Sequence, residues 1–175
     1  VDGVVLDDRE AAAASHAGWR TPEAMDRLRT LFRYGWVADD GEMDDYVEEC
    51  VRQAEGDWLN AGARLDLVRA VTRRSFVRHG PGWLRRPTTE EIITAASPNF
   101  SAKLCPAIDL YEQLTCPLTV VLASRGFYAE RRAEVQAVVD ARPERVLVDI
   151  ESNHNVPMTS PDALAGIILD VLGRV

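Results

Sequence analysis

The 175 residues are 46% hydrophobic and 27% charged, the proportions of a folded domain, which argues against an intrinsically disordered chain. Twenty Lys and Arg against 28 Asp and Glu leave a net charge of -8, which opposes a surface built for nucleic-acid backbones. No apolar run approaches the roughly 18–20 residues of a membrane helix, so neither nucleic acid nor membrane is expected as a partner, and the chain reads as soluble.

In chain order, the first predicted element is a short strand, Val1 to Leu6, ending at Asp7-Asp8. From about Ala11 to Leu114 the pattern reads as helices and turns without a convincing strand. Thr21-Pro22 supplies an N-cap and a first-turn proline, and Met25, Leu28, Leu31 and Phe32 follow on one face. Met43, Tyr46, Val47, Cys50 and Val51 repeat that spacing, and Leu65, Val68 and Val71 repeat it again before His79-Gly80-Pro81-Gly82 breaks the chain. Thr88 with Glu91 forms a capping box opening a helix with Ile92 and Ile93.

The character changes after Cys116-Pro117. Leu118 to Ala123 is a β-branched run between a proline and Ser124-Arg125-Gly126, the pattern of a buried strand. A helix is expected over about 129–142, with Val135, Val138 and Val139 inward and Pro143 ending it. Arg145 to Ile150 reads as a second strand. After the loop containing His154, Ser160-Pro161 starts a final helix with Leu164, Ile167, Ile168, Val171 and Leu172 on one stripe, ended by Gly173. Strand, helix, strand and helix in this order imply a parallel βαβ unit.

Few other signatures carry chemistry. Cys50, Cys105 and Cys116 are odd in number and lack CxxC spacing, which opposes a disulfide framework and a zinc site and fits a reducing cytoplasm. There is no Gly-x-Gly-x-x-Gly, no P-loop and no metal-spaced cluster, so no cofactor is expected. Arg69, Arg73, Arg74, Arg78, Arg85 and Arg86, interleaved with His79 and Trp83, have the composition of a strand-binding groove. A solvated helix face beside a loop explains the same residues.

The segment Cys116-Pro-Leu-Thr-Val-Val-Leu, then a helix, then Arg145-Val-Leu-Val-Asp-Ile-Glu-Ser-Asn-His-Asn-Val-Pro-Met-Thr-Ser-Pro-Asp-Ala-Leu resembles the C-terminal part of an α/β-hydrolase. In that family the loop after the final strand carries the catalytic histidine, and His154 occupies the matching place. The opening Val1-Asp-Gly-Val-Val-Leu resembles the family's sixth strand, which a helical cap usually follows. The resemblance implies a catalytic acid at Glu130, after the strand ending near Ala123, or at Asp2, after strand six. Each also has a plainer reading, Glu130 as a helix-starting charge and Asp2 as a turn residue before Gly3. The family's Gly-x-Ser-x-Gly nucleophile turn does not occur in these 175 residues. Ser124, at a strand end, lacks its flanking small residues.

The expected fold class is α/β: a partial α/β-hydrolase fold, three parallel strands with covering helices and an inserted helical cap. Residues 1–8 would form a strand of the sheet, 9–114 the cap and 115–175 the C-terminal βαβα part. The implied function is the C-terminal portion of a serine-type hydrolase acting on an ester, thioester or amide, supplying the cap and the general-base histidine. Its partners would be a small-molecule acyl substrate and either a missing N-terminal half or a second copy joined through the open sheet edge. The alternative is a non-catalytic, hydrolase-derived protein that binds a partner through its helices and exposed edge.

Overall fold

The computed structural model describes residues 5–95 and 98–173, which divide into two units. One comprises Asp7–Cys50 and Arg69–Gln113. The other comprises, of the described residues, 5–6, 51–68 and 114–173, so residues 51–68 of the stretch read as cap cluster with the C-terminal part.

The first unit begins with α1 (Arg9–Gly18), capped by Asp8, whose carboxylate accepts from the Ala11 N–H at 2.8 Å. Then comes α2 (Pro22–Phe32), where the Thr21 hydroxyl accepts from the Ala24 N–H at 3.2 Å and Pro22 sits in the first turn. Leu31 departs from the expected apolar face and is exposed, while Met25, Leu28 and Phe32 are half-buried. A two-residue strand, β1 (Val37–Ala38), leads into α3 (Asp40–Gln53), on which Met43 and Val47 are buried at the predicted spacing. In α4 (Leu65–Arg74) only Val68 of the expected stripe is buried, and Leu65 and Val71 are exposed.

The absence of strands between residues 11 and 114 is corrected. Strands β2 (Phe76–His79) and β3 (Gly82–Arg85) form an antiparallel hairpin, and β1 pairs with β3 to give the order β1-β3-β2. The Gly80-Pro81 pair, read as a chain break, is the two-residue turn between them. Gly80 takes φ +58°, the positive value a hairpin turn places at its first central residue. Gly82 is fixed for a different reason: a Cβ there would stand 2.4 Å from the Ala38 carbonyl oxygen. The sheet backs a core of Ala38, Met43 and Phe76, against which Trp36, Tyr46 and Trp83 pack.

Helix α5 (Thr89–Ala95) opens on the predicted capping box. The Glu91 N–H donates to the Thr88 hydroxyl at 3.2 Å, and the Thr88 N–H donates to the Glu91 carboxylate at 2.8 Å. Thr88→Ala is expected to cost about 1 kcal/mol, as lost N-caps do, measured by urea unfolding. A short helix, α6 (Leu110–Gln113), closes this unit. The irregular stretch before it is tied to α1 by Arg9, which donates to Asp109 at 2.8 Å and to the carbonyls of Phe100 and Ala102 at 2.7 Å each.

The second unit is built on two parallel strands, β4 (Leu118–Arg125) and β5 (Arg145–Asn153), in register from Leu118 opposite Arg145 to Ala123 opposite Ile150. Between them a 3-10 turn (Ala129–Arg131) precedes α7 (Arg132–Asp140), so the predicted helix starts three residues late and ends two early. Val135, Val138 and Val139 are buried as expected. A register shift near Ser124 marks a bulge at the C-terminal ends of the strands. Of the predicted first strand, Val1–Val4 lie outside the described residues, and Val5 and Leu6 form no strand, so the described parallel sheet has two strands rather than three.

Arg132 at the start of α7 pairs with Asp149 of β5 at 2.7 Å and holds that carboxyl below its usual pKa. A folded pKa below the unfolded one stabilises at neutral pH, and this contribution fades as pH falls through the depressed value. Both side chains are about half exposed, so solvent screens the pair. Thermal melts of Asp149→Asn should therefore sit slightly below the parent at pH 7 and merge with it in strong acid.

A short helix, α8 (Val156–Thr159), and α9 (Pro161–Leu172) complete the chain. Ser160 does not cap α9 with its side chain; its hydroxyl donates instead to the Glu151 carbonyl at 3.2 Å. Leu164 and Ile167 pack on Ala123, Ile150 and Val156. Ile168, expected to face the sheet, is 50% exposed, and Leu169 and Leu172 are exposed beside it. Ile168 lies one turn on from Leu164 but about 100° around the helix from Ile167, which places it at the edge of the buried face.

Candidate functional site

The loop after β5 is held on both sides of His154. Upstream, the buried Asn153 amide donates to the Ala61 carbonyl at 2.5 Å and accepts at Oδ1 from Arg125 Nε at 2.8 Å, while Arg125 also pairs with Glu151. Downstream, Asn155 donates to Asn60 at 3.3 Å, and Asn60 donates to Asp57 at 2.5 Å. The Asn155 carbonyl accepts from the Met158 N–H at 2.8 Å, setting α8 directly after the loop. Residues 57–63 supply most of these anchors, with Gly62 at φ +81° in the turn.

The imidazole joins two aromatic rings in a three-membered cluster. Phe127, on the turn after β4, meets it edge to face with centroids 4.1 Å apart, and Trp58 lies tilted at 5.7 Å. Trp58 and Phe127 touch each other at 4.9 Å. They are 53% and 64% exposed, so the cluster forms an open aromatic wall beside a half-buried histidine whose Nδ1 is shielded from solvent. In a serine triad Nδ1 is the nitrogen turned to the carboxylate, leaving Nε2 for the nucleophile's proton.

Of the other expected site residues, Glu130 stands exposed in the 3-10 turn after β4, and Asp2 lies outside the described residues. The Ser124 hydroxyl accepts from the Ser152 N–H at 3.3 Å, bridging the two strands at their bulge. Sequence reasoning missed Trp58 and Phe127. Phe127 carried one usable signal, since it falls in the stretch after β4 where the family places its acid; Trp58 carried none, because its contact with His154 spans 96 positions of sequence. Among the described residues no group of three His, Cys, Asp or Glu side chains is arranged to hold a metal, and no helix is long and apolar enough to cross a membrane. The arginines of the basic stretch meet acidic partners: Arg69 pairs with Glu48 and Arg73 with Asp44, each at 2.7 Å, and Arg86 with Glu91.

No family model matches the chain, and no curated protein matches it. A solved structure of E-2-(acetamidomethylene)succinate hydrolase is similar over 99% of this chain, with a TM-score of 0.62 and 14% identity. The chain has part of the α/β-hydrolase fold. It spans 56% of the length of that hydrolase.

Proposed function

We propose that this chain is the C-terminal portion of a serine-type α/β-hydrolase, in which His154 acts as general base on an ester, thioester or amide. The observation that carries the reading is the placement of His154: immediately after the last parallel strand, in a loop pinned through Asn153 and Asn155. Such pinning suits a group that must keep one orientation through a reaction cycle. His154 would take the nucleophile's proton on attack and return it to the leaving group, with Asp2 or Glu130 holding the ring's tautomer. The nucleophile would come from sequence that this chain lacks, since the fold carries Gly-x-Ser-x-Gly ahead of its cap. Trp58 and Phe127 favour an acyl group with an apolar or flat part that lies against their rings.

The test uses a fluorophosphonate probe, which reacts with activated serines. This chain alone should stay unlabelled, and a polypeptide or complex joining it to a Gly-x-Ser-x-Gly segment of the same fold should label. Labelling of the isolated chain, or none in the joined protein, would contradict the reading.

Among the described residues β4 and β5 have only each other as sheet partners, and α9 exposes Ile168, Leu169 and Leu172 nearby in sequence. Open edges and apolar faces of this kind favour association, so we also propose that the isolated chain pairs with itself when no complementary half is present. Light scattering at micromolar concentration should then report a dimer or larger, and a stable monomer would refute it.

A further inference from the structure

We propose that a second site, a cavity between α2, the turn after it and α5, binds a small organic anion through Arg33 and Thr89. The cavity measures about 530 Å³, within the range of small-molecule pockets, and its walls include Arg29, Arg33, Tyr34, Trp36, Thr89 and Glu90. All of them belong to the unit made of Asp7–Cys50 and Arg69–Gln113, so the inference does not depend on the hydrolase reading.

Charge is the first argument. Arg29 is matched by Asp26 at 3.2 Å and Glu90 at 3.0 Å. Arg33 has no carboxylate partner among the described residues; its guanidinium lies over Trp36 at 4.7 Å and over Tyr46 at 4.9 Å. Arg85 stands over the same Tyr46 ring at 4.5 Å, and its buried Nε and Nη1 have no acceptor among the described residues. Two cations thus converge on one aromatic cluster without a counter-ion, in a chain whose net charge is -8. Tyr46 cannot act as that counter-ion, because burial pushes its phenol up to about 12 despite both arginines pulling it down.

Geometry is the second. Arg33 ends α2 in the left-handed region at φ +51°, a conformation an arginine adopts at some cost, and it does so on the wall of the cavity. The Trp36 N–H donates to the Arg33 carbonyl at 3.1 Å, closing the turn that fixes it. Thr89 is the third: it is 1% exposed, lines the cavity, and its hydroxyl has no hydrogen-bond partner among the described residues. A buried hydroxyl left in this state costs free energy that an oxygen acceptor in the cavity would recover. A fork of donors, a lone hydroxyl and the Trp36 and Tyr34 rings together describe a carboxylate or phosphate headgroup on a flat body.

Isothermal titration of the full chain with phenyl phosphate, benzoate and inorganic phosphate tests this. At least one aromatic anion should bind at a single site with Kd below about 1 mM. That binding should weaken at least about tenfold in Arg33→Gln and several-fold in Thr89→Val, as lost charged and neutral hydrogen bonds do. Should Arg33→Gln fail to fold by circular dichroism, Arg33→Lys keeps the cation and loses the fork, and it should also weaken binding. The proposal is overturned by no saturable binding of either aromatic anion up to about 10 mM, roughly tenfold weaker than the expected limit. It is equally overturned by inorganic phosphate binding as tightly as phenyl phosphate, or by affinities unchanged in the folded Arg33 variant.

Discussion

Replacing His154 with alanine, in a polypeptide or complex that also supplies the nucleophile, is expected to lower kcat by about 10⁴-fold or more, as the loss of a triad base does. The side chain is half-buried and contributes mainly its contacts with Phe127 and Trp58. Tm should therefore move by no more than about 3 °C, the scale of a contact loss below 1 kcal/mol. The combination separates catalysis from packing. A collapse of Tm together with kcat would mean that the imidazole is a wedge in an aromatic cluster. An unchanged kcat would remove His154 from the reaction and leave the alternative, a hydrolase-derived protein that binds a partner.

The second large effect is expected in α9. Ile167→Asp should destabilise the chain by about 2–4 kcal/mol, because the carboxylate would replace a methyl-bearing side chain packed on Ala123, Ile150 and Val156. Ile168→Asp, one residue on, should stay within about 0.5 kcal/mol, the range of surface changes. Ile168 is half exposed, so its substitution leaves that core intact and adds a charge facing water. Denaturant unfolding of the two variants side by side reads the difference. Equal losses would show that the helix is rotated from its described packing.

The C-terminal βαβα order was legible because a buried parallel strand is a continuous apolar run. Val120, Val121 and Leu122 between Pro117 and Ser124 have no helical period, whereas Val135, Val138 and Val139 do. The β2–β3 hairpin was not legible, because Arg78 and His79 interrupt any alternation and its four-residue strands follow a helix without a break. Its stability comes from Phe76, whose partners Trp36 and Tyr46 are 40 and 30 positions away and invisible to local reading. Ile168 was misplaced for a related reason: the run from Ala163 to Leu169 is apolar throughout, Gly166 aside, which leaves the buried face of α9 undetermined until the sheet beneath it is known. For the candidate site, His154 could be singled out by its place after a strand, and the rings against it could not. The anion cavity shows the same limit, since Arg33 and Thr89 lie 56 positions apart and neither belongs to a motif.

The structure of the joined hydrolase carrying a phosphonylated serine would show whether His154 stands beside the nucleophile. His154 Nε2 is expected about 2.6–3.2 Å from an oxygen of the adduct, with its other nitrogen turned to a carboxylate. An imidazole remote from the adduct, with a different side chain in hydrogen-bond reach of the serine oxygen, would contradict it.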